Sequence, residues 1–252
     1  REMGERGFKE VTLLGQTVNS YQYEDTDFAD LLEKVVEVDG IERIRFTSPY
    51  PIDFTPKLIE TIGRHDKVCN YLHLPLQSGS DHMLDEMRRQ YTVAEFNQLV
   101  DDIRREMPDI ALSTDIIVGF PGETDEDFEK TMKMMREIRF DFAYMFKYSE
   151  RSNTHAARNK PDDISEDLKG ERLTRLIEQQ EEISAEVFRS RVGETYEVLV
   201  EGTSRRDDND LCGRTEDFKM CVFPRPEDRE LAAGQLADVR TVNYTSHTLL
   251  RD

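Results

Sequence analysis

The chain has 252 residues, 37% of them hydrophobic and 35% charged, with a formal net charge of −19 and a pI near 4.7. That length holds one α/β domain and a small appendage, and the clustering of apolar residues into periodic segments excludes a disordered chain. Every apolar run is too short to cross a membrane as a helix, and so acidic a surface repels nucleic acid at long range unless a local basic patch or salt offsets it.

In chain order, residues 1–7 read as the tail of a helix ahead of a strand, and a missing N-terminal part is expected. A strand over 11–14 ends at Gly15. A helix over 28–38 stops at Gly40. Residues 44–46 form the next strand, closed by Ser48-Pro49, and 56–62 a short helix with proline in its first turn. The strand over 71–74 meets Pro75. Helices follow over 80–87, with Ser80 as a good N-cap, and over 92–107, ended by Pro108. A strand over 110–118, a helix over 124–138, a strand over 142–148 and a long charged helix over 165–190 complete the series. Alternation of β and α with short loops predicts a parallel sheet with helices outside it. Right-handed crossovers wind it into a full or partial barrel.

After Gly193 the pattern changes to short strands over 196–202, 211–214, 219–223 and 236–242. They predict a small antiparallel β-barrel of about sixty residues. The expected domains are therefore 1–191 and 192–252.

Three strand-to-helix turns carry the chemistry, because such turns gather backbone N–H groups and polar side chains at the carboxyl ends of parallel strands. The first holds Gly15, Gln16 and Asn19, whose amides either bind a zwitterionic head group or cap a polar loop. The second, His73-Leu74-Pro75-Leu76-Gln77-Ser78-Gly79-Ser80, offers Gln77 and Ser78 to ribose hydroxyls; His73 alone reads as a core histidine. The third runs Asp115-Ile116-Ile117-Val118-Gly119-Phe120-Pro121-Gly122-Glu123-Thr124. Asp115 in an apolar strand needs a partner, Glu123 suits a helix start, and Thr124 with Asp127 forms a capping box. Phe146-Lys147-Tyr148-Ser149-Glu150-Arg151 is either a nucleotide contact, by stacking and phosphate pairing, or an aromatic edge strand. Met132, Met134 and Met135 are core filler. Arg205 and Arg214 in the terminal barrel face a neighbouring run of aspartates, which weakens them as RNA contacts. The three cysteines, Cys69, Cys212 and Cys221, lie in no C-x-x-C arrangement and read as reduced thiols of a cytoplasmic protein.

Taken in order, these motifs resemble the radical S-adenosylmethionine methylthiotransferases, in particular their tRNA branch. The resemblance rests on Leu14-Gly15-Gln16 with Asn19-Ser20-Tyr21, the His73–Ser80 segment, Ile117–Thr124, Phe146–Arg151, and Val200-Glu201-Gly202 with Gly213-Arg214-Thr215-Glu216. It implies a radical SAM partial barrel followed by a TRAM domain, and addition of a methylthio group to C2 of isopentenylated adenosine beside the anticodon. It implies S-adenosylmethionine as cofactor and two [4Fe–4S] clusters. One cluster is held by a C-x-x-x-C-x-x-C loop and cleaves S-adenosylmethionine to a 5′-deoxyadenosyl radical; the other carries the sulfur.

By family position, Gly15, Gln16 and Asn19 lie near the methionine moiety and Gln77 and Ser78 near the sugar. Asp115 joins them, Ile117, Gly119 and Glu123 border the adenosine, and Phe146 and Tyr148 flank a base. Lys147, Arg151, Arg205 and Arg214 are the expected RNA contacts. The implied partners are the tRNA anticodon stem-loop and a sulfur and iron–sulfur delivery system, and the expected state is a monomer. The cluster loop does not occur in these residues, so the chain by itself is expected to be inactive and to hold no metal. Ser152-Asn153-Thr154 departs from the family's Pro-Gly-Thr. Two alternatives remain at this level: the sister branch that methylthiolates a ribosomal-protein aspartate, which an acidic barrel would suit, and a non-catalytic RNA-binding module.

Overall fold

The computed structural model describes residues 1–151, 158–227, 229–245 and 248–251, so the departure at 152–154 lies outside the described residues. Helix α1 (Glu2–Glu5) leads into strand β1 (Glu10–Leu13). A hairpin of β2 (Gln22–Tyr23) and β3 (Thr26–Asp27), not expected from sequence, precedes α2 (Phe28–Val36). Then follow β4 (Arg43–Phe46), α3 (Pro56–Arg64), β5 (Tyr71–His73), α4 (Asp81–Glu86), α5 (Val93–Glu106), β6 (Ala111–Val118), α6 (Asp125–Ile138), β7 (Phe142–Lys147) and α7 (Glu166–Ser190). β1 pairs with β4, and β5 with β6 and β6 with β7, all parallel. Ile44 accepts from the Cys69 N–H and donates to the Lys67 carbonyl, which joins β4 to the segment entering β5. The result is one parallel wall in chain order, with helices on one side and a concave face on the other.

Side chains alternate across this wall with the period of two that a strand imposes. Ile44, Phe46, Leu72, Leu74, Leu112, Ile116 and Val118 enter the core beneath the helices, together with Met132, Met134 and Met135. The opposite parity places Arg45, Tyr71, His73, Ser113, Asp115, Tyr144 and Phe146 on the concave face. There Tyr144 and Phe146 remain 46% and 53% exposed.

Capping boxes form at Thr92/Glu95 and Thr124/Asp127. Ser80 departs from expectation. It occupies the N-cap position of α4, but its hydroxyl makes no cap bond. It donates instead to Asp127 Oδ1 at 2.5 Å, while Thr124 Oγ1 and the His82 ring approach Oδ2 at 2.7 and 3.1 Å. A buried carboxylate outbids the local cap because its own desolvation must be offset. Burial by itself would raise the Asp127 pKa, yet the bonds from Ser80, Thr124 and His82 hold it well below the usual carboxylate range. A depressed carboxyl stabilises above its unfolded value, and the benefit is lost as pH falls through the folded one. Asp127→Ala is therefore expected to cost about 3 kcal/mol at neutral pH by urea denaturation. The gap between the two proteins should shrink below about pH 4.

The remaining strands are β8 (Thr195–Thr203), β9 (Asp210–Thr215), β10 (Met220–Pro224), β11 (Leu236–Arg240), β12 (Asn243–Thr245) and β13 (Thr248–Leu250), in one sheet of order β11-β8-β9-β10-β13-β12. All pairs are antiparallel except β10–β13, which run parallel. The strand expected over 236–242 stops at Arg240. The next residue, Thr241, turns back to donate its N–H to Glu194 and its hydroxyl to Arg191. This sheet has its own core of Tyr196, Val198, Leu211, Phe223, Val239 and Leu249, with Phe188 of α7.

The two cores are bridged by buried charge. Arg43 donates to the Arg214 carbonyl at 3.0 Å, and Arg45 to the carbonyls of Thr215 and Glu216 at 2.8 Å each. Lys219 sits between Asp141 at 2.6 Å and Asp217 at 2.8 Å.

Candidate functional site

A cavity of about 410 Å³ opens at the carboxyl ends of β1, β4, β5 and β6, lined by Gln16, Thr17, Ser48, Pro49, Tyr50, His73, Pro75, Gln77, Arg89 and Asp115. This is the rim where parallel α/β sheets bind ligands. A larger hollow of about 670 Å³ lies on the outer side between α3 and α5, floored by Phe54, Phe96 and Leu99. It is away from the strand ends and edged by carboxylates, so the rim cavity is the better candidate.

The rim is built with backbone strain. Of the six non-glycine residues at positive φ among the described residues, Ser48 (+57°) and Gln77 (+71°) line the cavity and Arg88 (+58°) directly precedes Arg89. Such outliers cost about 1–3 kcal/mol each and gather at functional sites. Gln77 is clamped at both ends, its N–H to the Asp115 carbonyl at 2.8 Å and its carbonyl to the Ile117 N–H at 3.0 Å. Arg88 ends α4, and the Arg89 N–H returns to the Leu84 carbonyl at 2.8 Å.

Arg89 is the cation of the cavity and makes no ion pair among the described residues. Asp115 is the anion, 31% exposed at its side chain and 3.3 Å from His73 Nε2. A guanidinium, a carboxylate and the amides of Gln16 and Gln77 together suit a ligand that carries a carboxylate, an amine and hydroxyl groups.

Of the residues singled out in the sequence, Gln16, Gln77 and Asp115 converge here. Asn19 does not: its amide donates to the Tyr50 carbonyl at 2.9 Å and accepts from the Tyr50 N–H at 2.7 Å, so it braces the rim loop. Ser78 is fully buried against Thr131 Oγ1. Glu123 turns inward, accepting from the Gly119 N–H and from Arg172 at 2.7 Å each. Burial raises its pKa against those two partners. Gly15 and Gly119 shape the loops; Gly119 has φ +70° and an added Cβ would collide with the Lys169 side chain. Ile117 pairs in register with Phe146 on the concave side, and Tyr148 packs edge-on against Phe120 at 5.0 Å.

Among the expected RNA contacts, Lys147 is paired with Glu166 at 2.7 Å. Arg214 is held by Glu201 at 2.9 Å and lies 4.5 Å over Phe218, both in its own domain, so its guanidinium is already paired. Arg151 and Arg205 are exposed. Sequence reasoning missed Arg89 and undervalued His73. The spacing of Asp85 and Arg89 suggests an i,i+4 surface pair; the left-handed Arg88 ends the helix and removes that option.

The described residues do not fit an iron–sulfur cluster. No group of three metal-ligating side chains occurs among them. Burial pushes the thiol of Cys69 up to about 11 and that of Cys221 up to about 12, and Cys212 is raised as well. Cluster ligands are thiolates, so three separate thiols held protonated are unsuited to the task.

The chain is similar to known proteins over nearly its whole length. The Radical SAM superfamily matches residues 1–135 and the TRAM domain residues 189–249. The tRNA-2-methylthio-N(6)-dimethylallyladenosine synthase of Thermoanaerobacter pseudethanolicus is 46% identical over 252 residues, 99% of this chain and 53% of the relative. The protein of the same name from Porphyromonas gingivalis is 46% identical over 99% of this chain and 54% of its own length. The chain spans about half the length of the curated relatives it matches.

Proposed function

The chain belongs to the radical SAM superfamily, and on that premise we propose that it forms the cofactor-binding half-barrel and the RNA-binding domain of a tRNA methylthiotransferase. The product is a methylthio group on C2 of isopentenylated adenosine beside the anticodon. The observation that carries this reading is the convergence of Arg89, Asp115, Gln16 and Gln77 on one rim cavity. The names of the relatives and the TRAM match at 189–249 support the choice of tRNA as substrate.

S-adenosylmethionine, when bound, supplies the radical chemistry and the methyl group; the [4Fe–4S] ligands of the family lie outside these residues. The chain's own residues bind and orient. Arg89 faces the methionine carboxylate, Gln16 the amine, and Gln77 and Asp115 the ribose hydroxyls. Ile117 and Gly119 border the adenine, with Glu123 holding their loop from below. Phe146 and Tyr148 present aromatic faces beside the cavity for a base, and the exposed Arg151 and Arg205 meet the RNA backbone. The domains divide at 191/192. The protein acts in the cytoplasm as a monomer, supplied by a sulfur and iron–sulfur delivery system. No helix among the described residues is long and apolar enough to cross a membrane.

The test is nucleoside mass spectrometry. The complete gene product, reconstituted anaerobically with iron and sulfide, is incubated with S-adenosylmethionine and tRNA carrying isopentenyladenosine. Gain of a methylthio group on that nucleoside is expected. No gain, with modification of a ribosomal-protein aspartate instead, would overturn the assignment.

A further inference from the structure

The floor of the concave face is supplied by the other domain. Phe218, in the turn after β9 at φ +66°, stacks on Tyr71 at 4.8 Å and on Phe142 at 6.2 Å. Arg45 covers the same ring at 5.2 Å while its guanidinium grips the carbonyls on either side of the turn's start. From Tyr71 a file of hydrogen bonds climbs the wall toward the rim. Tyr71 Oη lies 2.6 Å from Ser113 Oγ, Ser113 Oγ lies 2.9 Å from His73 Nδ1, and His73 Nε2 lies 3.3 Å from Asp115 Oδ2. Tyr144 meets the imidazole edge-on at 5.8 Å and fixes its plane.

The direction of this file follows from donor and acceptor inventory. The Asp115 carboxylate can only accept, so the file runs toward it, and the Tyr71 hydroxyl at its far end donates upward to Ser113. Ser113 then has its own proton free for His73 Nδ1. The imidazole, accepting at Nδ1, carries its proton at Nε2 and donates it to Asp115.

We propose that Phe218 and Tyr71 are positioning residues for the rim cavity, holding His73 through Ser113 in the Nε2–H tautomer so that Asp115 is oriented toward the ligand. The domain assigned to RNA thereby sets the geometry of the cofactor cavity. Only the identity of the cavity's occupant rests on the proposed function; the tautomer does not.

The experiment is ¹⁵N NMR of the histidine side chains in the full chain, with His73→Gln assigning the resonance. The wild type is expected to show His73 protonated at Nε2. Tyr71→Phe keeps the ring stack and deletes the hydroxyl; it should mix the tautomers while lowering the thermal midpoint by only a few degrees. Phe218→Ala should mix the tautomers as well, with a lower thermal midpoint from the lost ring contacts, and Phe218→Tyr should restore the wild-type signature. Calorimetry should show S-adenosylhomocysteine binding to Tyr71→Phe about tenfold more weakly. A wild-type His73 protonated at Nδ1, or a Tyr71→Phe tautomer identical to wild type, overturns the inference. Tautomers that shift as expected in a chain that binds no S-adenosylhomocysteine support the positioning role while removing the cofactor reading.

Discussion

Arg89→Ala is expected to weaken S-adenosylhomocysteine binding by between about tenfold and a hundredfold, the range of a lost charge-assisted hydrogen bond. The cavity lining offers the ligand carboxylate the Arg89 guanidinium, which makes no ion pair with a carboxylate among the described residues. Arg89→Lys should recover only part of the loss, because a point charge cannot reproduce a bidentate fork. The discriminating control is 5′-methylthioadenosine, which has no carboxylate. Calorimetry should find it bound equally by wild type and Arg89→Ala. An equal loss for both ligands would mean that the substitution disturbs the rim loop, and the carboxylate role would fall.

Lys219→Ala is expected to cost about 3–5 kcal/mol of stability, the range for removing one partner of a buried ion pair. The Lys219 side chain is 2% exposed and sits between Asp141 at 10% and Asp217 at 4%. Truncation leaves two carboxylates facing each other across the domain boundary, with Arg191 at 3.9 Å from Asp217 as a more distant cation. For Asp217, burial pushes the pKa up but Lys219 and Thr215 pull it lower still, below the ordinary carboxylate value. Its contribution is thus present above about pH 4 and is lost as pH falls through the folded pKa. Urea denaturation should show one transition for wild type and a separated, earlier transition of the C-terminal sheet in Lys219→Ala. Combining Lys219→Met with Asp141→Asn and Asp217→Asn should recover most of the loss, since no uncompensated charge is then buried. A Lys219→Ala protein as stable as wild type would show that the domains do not depend on this network.

Much of the fold was legible because it follows from short-range rules. The β-α alternation, the stop at Gly40, the capping boxes at Thr92 and Thr124 and the methionines of α6 are written in neighbouring residues. The site was legible only in part. Gln16 and Gln77 stand just beyond strand ends, where position marks them, and Asp115 is marked as a carboxylate within an apolar strand. Asn19, Ser78 and Glu123 stand in the same turns and have the same chemistry, yet each is spent on a partner distant in sequence: Tyr50, Thr131 and Arg172.

By itself, then, the sequence determined the order of elements, the parallel wall, the change to a second all-β unit and the rim on which ligands sit. Each of these depends on the period of apolar residues and on turn chemistry within a few positions. The tertiary structure alone decided which polar groups are free. It turned Arg89 into the cavity through the left-handed Arg88, tied Asn19, Ser78 and Glu123 to distant partners, and placed Phe218 beneath Tyr71. A side chain's freedom to bind a ligand depends on whether a partner desolvates or pairs it, and those partners arrive from 30 or more positions away, at distances that no local pattern encodes.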